Sequence, residues 1–261
     1  MLLDFYKYEG AGNDFILLDD RANSFPSINH DLVKQLCDRR FGIGADGLML
    51  LRSYPGYDFN MVYYNSDGRE STMCGNGGRC ITAFAQKLGL IQKKARFMAI
   101  DGEHLAELTA DNYVRLRMSD VHKIEAGDNY FFLNTGSPHY VTFTTYLNDL
   151  DVFAAGRKIR YNDRFREEGT NVNFVEDCGD YLFVRTYERG VENETLACGT
   201  GVVASVLCAC LQRGSDKITH ALPVKVLGGL LQVSLNRNGS AFTDIWLEGP
   251  ATYVFEGRLE L

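Results

Sequence analysis

Apolar residues fall along this chain in short runs punctuated by glycine, asparagine and aspartate, the signature of strands and tight turns. In the first half Leu2–Tyr8, Phe15–Leu18, Phe59–Tyr64, Arg96–Ile100, Leu105–Thr109 and Val114–Met118 read as strands. Turns are expected at Glu9-Gly10-Ala11-Gly12-Asn13-Asp14, Asn65-Ser66-Asp67-Gly68, Asp101-Gly102 and Asp111-Asn112. Helices are predicted from His30 to about Arg40, with Asn29 as N-cap, and from the turn at Cys74 to about Leu88, where Gly89 supplies a C-terminal stop. In the second half Tyr130–Leu133, Tyr140–Thr144, Val172–Val175, Leu182–Tyr187, Val224–Leu227, Leu230–Leu235, Phe242–Leu247 and Tyr253–Phe255 read as strands, with helices between Leu147 and Ile159 and from Cys198 to about Arg213 before Gly214. The run Val202 to Leu211 is small and apolar on every side, as expected of a helix wrapped by sheet. The fold class expected is therefore α+β, with many short strands and few helices.

The pattern is written twice. Thr72-Met73-Cys74-Gly75-Asn76-Gly77-Gly78-Arg79 returns as Leu196-Ala197-Cys198-Gly199-Thr200-Gly201, an offset of 124 residues. At the same offset, without a gap, Gly12 falls on Gly136, Phe41 on Phe165, Tyr63 on Tyr187, Glu70 on Glu194, Gly75 on Gly199 and Gly77 on Gly201. A spacing this long exceeds the period of about 20–50 residues of a solenoid and implies duplication of a whole domain. We expect an N-terminal lobe, residues 1–120, carrying Cys74, and a C-terminal lobe, residues 121–261, carrying Cys198. The boundary lies near Ser119–Gly127, and the last strand, about 251–261, is able to pack on the first lobe.

Composition narrows the function. A length of 261 suits two ordinary domains, and 45% apolar residues can fill a core in each. The net charge of −7, with no Lys/Arg block, favours neither nucleic acid nor an anionic membrane as partner. The N-terminus Met1-Leu2-Leu3-Asp4-Phe5 lacks the basic and apolar segments of a signal peptide, so a cytoplasmic location is expected. Seven cysteines without a CxxC pair argue against a disulfide framework and a zinc site. Cys80, Cys208 and Cys210 sit in apolar helical runs and, with Cys37 and Cys178, read as small hydrophobes. Cys74 and Cys198 differ, because glycines flank each at a helix start. Gly42-Ile43-Gly44-Ala45-Asp46-Gly47 matches the dinucleotide fingerprint G-x-G-x-x-G, but a helix precedes it and the apolar Leu48–Leu51 follows, the reverse of the context that motif needs.

A helix N-terminus stabilises an anion through unpartnered N–H groups and the helix dipole. That anion is either a cysteine thiolate or a substrate carboxylate. Two such tips related by duplication imply a pseudo-twofold axis, with one thiol on each face of a substrate carbon. This arrangement suits inversion by two bases, one thiolate removing an α-proton while the opposite thiol delivers another. The α-proton of an amino acid is far less acidic than a thiol, and each unit of mismatch costs about 1.4 kcal/mol. Electrostatic stabilisation by the helix tips and exclusion of water must supply that difference. No lysine in a pyridoxal phosphate context and no metal cluster is visible, so a cofactor-free reaction is expected. At the offset Asn13 faces Ser137, Gly47 faces Asn171, Asn65 faces Arg189 and Asn76 faces Thr200. Arg189 is suited to grip a carboxylate. Glu188 and His139 either tune the thiols, a carboxylate raising and an imidazolium lowering a thiol pKa, or are satisfied structural partners.

Gly10-Ala11-Gly12-Asn13-Asp14-Phe15, Tyr64-Asn65-Ser66-Asp67-Gly68, Cys74-Gly75-Asn76-Gly77-Gly78-Arg79-Cys80, Tyr187-Glu188-Arg189-Gly190 and Ala197-Cys198-Gly199-Thr200-Gly201 together resemble the diaminopimelate epimerase family over nearly the whole chain. The resemblance implies interconversion of LL- and meso-2,6-diaminopimelate in lysine and peptidoglycan precursor synthesis, without pyridoxal phosphate. It implies two domains, each a curled sheet around a central helix, a small amino-acid substrate, and homodimers. It assigns Cys74 and Cys198 as the acid/base pair, and gives the α-carboxylate to Gly75, Asn76, Gly199 and Thr200. The rest of the substrate falls to Asn13, Asn65, Asn171, Arg189 and Glu188, and modulation of the thiols to His139 and Glu188. Two departures stand out: Ser137 replaces an asparagine of many relatives, and Gly47 replaces a side chain that some relatives use. Racemases using the same chemistry on other amino acids are the nearest alternative; the phenazine-biosynthesis isomerase type is disfavoured by the two thiols, and a thiol redox protein is the alternative from another class.

Overall fold

The computed structural model describes residues 2–25, 30–110, 112–214 and 221–261. Asn29, the expected N-cap, and Asp111 of the expected Asp111-Asn112 turn lie outside the described residues. Met1–Leu116 with Gly249–Leu261 forms one compact unit and Arg117–Glu248 another. The first carries β1 (Leu2–Gly10), β2 (Asn13–Asp19), α1 (His30–Cys37), β3 (Gly47–Arg52), β4 (Phe59–Asn65), β5 (Glu70–Ser71), α2 (Gly75–Lys87), β6 (Lys94–Ala99), β7 (Gly102–Ala110) and β8 (Tyr113–Arg117). The second carries β9 (Ile124–Ala126), β10 (Phe131–Asn134), β11 (Pro138–Phe143), α3 (Val152–Arg160), β12 (Asn171–Asp177), β13 (Leu182–Glu188), β14 (Asn193–Thr195), α4 (Gly199–Gln212), β15 (Leu222–Val226), β16 (Gly229–Asn238) and β17 (Ala241–Pro250), after which β18 (Thr252–Glu260) returns to the first. The helix expected over Leu147–Ile159 is divided: a 3-10 turn at Leu147–Asp149 precedes α3, which Asp151 caps by accepting from the Ala154 N–H at 3.0 Å.

Each unit is α+β and is wired alike. In the first, β18–β1 and β1–β2 pair antiparallel, β2–β3 parallel, β3–β4 antiparallel, β4–β6 parallel and β6–β7–β8 antiparallel. In the second, the series β9–β10–β11, β11–β12, β12–β13, β13–β15 and β15–β16–β17 repeats the same alternation. Phe15 sits opposite Gly47 and His139 opposite Asn171, at the offset of 124 read from the sequence. The repeat is not gap-free in space, however. Leu48 faces Tyr64 whereas Val172 faces Tyr187, so the β12–β13 connection is one residue shorter than β3–β4; Tyr64 facing Glu70 and Tyr187 facing Glu194 show that the next turn restores it. Tyr187 therefore matches Tyr64 rather than Tyr63, and Asn65 matches Glu188 rather than Arg189.

The central strands are largely apolar because helices cover both faces. On one face of the first unit Ile16, Leu18, Leu48, Leu50, Val62 and Tyr64 pack with Val33, Leu36 and Cys37 of α1. On the other lies α2, where a Cβ at Gly77 would come within 2.3 Å of the Met49 methyl. In the second unit Val172, Phe174, Phe183 and Tyr187 meet Val152 and Ala155 of α3, and Gly201 of α4 lies against Asn173 instead of a methionine. Glycine at both positions lets the helix start settle onto the sheet beneath it.

Candidate active site

Cys74 and Cys198 are the N-caps of α2 and α4, both in extended backbone conformation. The first intrahelical bonds run from Gly78 N to Cys74 O at 2.7 Å and from Val202 N to Cys198 O at 2.9 Å. The N–H groups of 75–77 and 199–201 thus precede the helical ladder, and an anion at either tip meets them together with the positive end of the dipole. Cys74 is half-buried and Cys198 buried.

At the first tip a two-residue turn with Ala11 and Gly12 at positive φ (54° and 83°) brings Asn13 to the start of β2. The Asn13 Oδ1 atom lies 3.7 Å from Cys74 Sγ and accepts from Asn76 Nδ2 at 3.2 Å. Asn13 Nδ2 donates to Asp46 at 2.7 Å, which fixes the amide with its oxygen toward the thiol. Arg79, wholly buried, anchors the other end, donating to Asn76 Oδ1 at 2.9 Å, Gly75 O at 3.1 Å and Pro250 O at 3.3 Å. Burial lowers the Arg79 pKa. Asp46 is itself held by Arg39, which also grips Asp14. Burial alone would raise the Asp14 carboxyl, but hydrogen bonds from Arg39 and Lys7 prevail and bring it to about 2. Asn65 receives the Gly68 N–H on its carbonyl at 2.9 Å, closing the turn at the end of β4.

At the second tip the thiol has different company. Cys198 Sγ lies 3.5 Å from Thr200 Oγ1, and Thr200 Oγ1 lies 2.9 Å from His139 Nε2. Ser137 Oγ is 3.1 Å from the same nitrogen and accepts from Asn171 Nδ2 at 2.9 Å, while Asn171 Oδ1 accepts the Arg189 N–H at 2.8 Å. The Glu188 carboxylate accepts from Thr195 Oγ1 at 2.8 Å. The exposed Arg189 guanidinium donates to the Glu168 carbonyl at 3.0 Å. Around this thiol the structure gathers Ser137, His139, Thr200 and Asn171, with Arg189 bonded to the last.

One sequence expectation is corrected here. His139 cannot lower a thiol pKa as an imidazolium, because complete burial, with Arg189 nearby, depresses its pKa to about 3 and keeps the ring neutral. Two departures gain a structural account. Ser137 is engaged within the protein rather than idle, and at Gly47 a Cβ would stand 2.6 Å from both the Tyr63 ring and the Tyr64 carbonyl, so no side chain fits. The Gly42–Gly47 run connects α1 to β3, the wrong way round for a dinucleotide turn. Away from the tips, burial pushes the Cys37 thiol up to about 12 and Cys210 up to about 11, and raises Cys80 and Cys208 as well. These thiols are unsuited to proton transfer near neutrality.

Sequence reasoning missed Arg79, Asp46 and Asn173. The last donates to His139 Nδ1 at 3.0 Å from within β12. Its signal was a polar residue inside the otherwise apolar Val172-Asn173-Phe174-Val175, where every position is buried.

The family model described as diaminopimelate epimerase matches residues 5–124 and 131–254. The chain is 52% identical over 254 residues to a diaminopimelate epimerase of Flavobacterium psychrophilum, covering 96% of this chain and 98% of that one. It is 46% identical over 262 residues to one of Chlorobaculum tepidum, covering 97% and 99%. Among solved structures it resembles a phenazine biosynthesis protein of the PhzF family from Bacillus anthracis (TM-score 0.75, 13% identity, all of both chains). It also resembles a hydroxyproline epimerase from Agrobacterium vitis (TM-score 0.70, 14% identity, 99% of this chain and 92% of that one). At these identities the structural likenesses speak for the fold.

Proposed function

The chain belongs to the diaminopimelate epimerase family, and from that premise we propose that it interconverts LL- and meso-2,6-diaminopimelate, with Cys74 and Cys198 acting on opposite faces of one α-carbon. The observation that carries the reading is the duplicated tip, a cysteine N-cap followed by glycine at the start of a helix in each unit. As one thiolate takes the α-proton, the electron pair left on carbon delocalises into the carboxylate. The N–H groups of Gly75 and Asn76 and of Gly199 and Thr200 stabilise that charge as it grows. The opposite thiol then protonates the other face. Asn13, Asn65, Asn171, Arg189 and Glu188 hold the remainder of the substrate, with Ser137 lining the second tip. No helix among the described residues is long and apolar enough to cross a membrane.

We place the enzyme in the cytoplasm, in lysine and peptidoglycan precursor synthesis, and as a homodimer. Exposed Val254 and Phe255, adjacent on β18, support a dimer, since burying them would remove apolar surface from water. Light scattering on the purified protein reads that state, a monomeric mass contradicting it. The functional test is incubation of the reduced protein with LL-diaminopimelate, beside a panel of other amino acids. Accumulation of the meso isomer supports the reading. Binding without inversion, or inversion only of another amino acid, overturns it.

A further inference from the structure

The second tip contains a hydrogen-bond network whose direction can be read from its fixed ends. Asn173 Nδ2 donates to the Tyr140 carbonyl at 3.1 Å, and since a carbonyl only accepts, the amide nitrogen must face that way. Thr186 Oγ1 donates to Asn173 Oδ1 at 2.9 Å, consistent with the same orientation. The second Asn173 N–H therefore points at His139 Nδ1, 3.0 Å away, and makes that nitrogen an acceptor. A neutral imidazole has one N–H. It must sit on Nε2, which lies 2.9 Å from Thr200 Oγ1 and 3.1 Å from Ser137 Oγ.

Asn171 is pinned as firmly, its Oδ1 by the Arg189 N–H, so its nitrogen donates to Ser137 Oγ. Ser137 then has its own proton to give, and Thr200 Oγ1 is 3.4 Å distant. Thr200 receives from the imidazole and faces this second donor. Its single proton is left for Cys198 Sγ at 3.5 Å. In Thr135 Oγ1, which donates to the Thr200 carbonyl at 2.8 Å, the turn has a further brace.

We propose that Asn173 is a positioning residue of the reaction: by holding His139 as the neutral Nε2–H tautomer, it turns the Thr200 hydroxyl into a committed donor to the Cys198 sulfur, favouring its thiolate form. Nothing is oxidised or transferred along this chain; it fixes the direction of each hydrogen bond. The inference deepens the reading of Cys198 as a proton-transferring thiol and rests on it. Burial of His139 fits the network, because a protonated ring would turn Nδ1 into a donor against the Asn173 N–H.

The test uses Asn173→Asp, which keeps the shape and still accepts from Thr186 but can no longer donate. Nitrogen-15 spectra of the histidine ring in the resting wild-type protein should show Nε2 protonated and Nδ1 bare; in Asn173→Asp a proton should move to Nδ1. Turnover should fall about tenfold to a hundredfold, the range for one hydrogen bond to a charged group, with KM little changed. In a Thr200→Val background, Asn173→Asp should cost no further turnover, because the hydroxyl it orients is gone. A wild-type ring protonated at Nδ1 overturns the proposal, as does a tautomer change without loss of turnover, or additive losses in the double variant. If Asn173→Asp does not fold, the wild-type spectrum and the kcat of Thr200→Val still decide. The spectrum needs no substrate, so a protein that fails to epimerise diaminopimelate refutes the functional reading while leaving the tautomer result standing.

Discussion

The two helix tips share a backbone plan and differ in what lies beneath the thiol. In the first unit the positions matching His139 and Asn173 are Phe15 and Met49, by strand register as well as by offset. All four side chains are buried. The second unit thus places an imidazole and an amide where the first places two hydrophobes, and burying polar groups is costly unless each is hydrogen-bonded. The thiols also face opposite polarities: Cys74 meets the oxygen of Asn13, an acceptor, whereas Cys198 meets a hydroxyl. Arg79 contributes to the asymmetry, since the matching residue of α4 is the apolar Val203. A duplicated frame has been specialised by changing the donors and acceptors at its tips while the tips themselves stay in place.

Removing either sulfur should abolish that distinction at a stroke. Cys74→Ala and Cys198→Ala are each expected to lower epimerisation by about 10²–10⁴-fold, the usual worth of a positioned acid or base, as measured by conversion of the LL isomer. Substantial conversion by one variant would show that the tips are not partners.

Transplanting the first unit's pair into the second is the sharper trial. His139→Phe with Asn173→Met replaces both partners of the His139–Asn173 contact together but strips the Thr186 hydroxyl of its Asn173 acceptor, so the variant should fold with reduced stability. Its turnover should fall about tenfold or more. Full activity in this variant would mean the polar pair does nothing that phenylalanine and methionine cannot do.

Smaller effects should separate the two helix starts by denaturant melts. At Gly77 an added Cβ meets the mobile end of Met49, but at Gly201 it comes within 2.3 Å of Asn173 Oδ1, an amide pinned on both sides. Gly201→Ala should therefore destabilise by about 1–3 kcal/mol, and Gly77→Ala by less. Equal losses would argue that Asn173 is free to move. Finally, His139 has a folded pKa of about 3 against about 6.5 unfolded, so below about pH 6.5 unfolding takes up a proton. Its contribution is fully present above that value and is lost as pH falls toward 3. The pH dependence of Tm across that interval should be shallower in the His139→Phe, Asn173→Met variant; an unchanged slope would place the titration elsewhere.

Much of this was legible in the sequence. Alternating apolar runs located most strands, Gly89 and Gly214 marked the helix ends with φ of 73° and 66°, and the repeated Cys-Gly turn located both thiols. The short β5, β9 and β14 escaped because three residues or fewer carry no periodicity. The one-residue slip between β12 and β13 escaped because only pairing reveals register. The neutrality of His139 and the role of Asn173 depend on what surrounds them across three strands, information that no local window contains.

The central claim is that two sulfurs, not one, move the proton. In heavy water, starting from LL-diaminopimelate and sampling before the reverse reaction matters, the meso product should carry deuterium at the inverted α-carbon while unconverted substrate retains hydrogen there. Deuterium appearing equally in recovered substrate and product, or product that keeps the original hydrogen, would point to a single base and contradict the account.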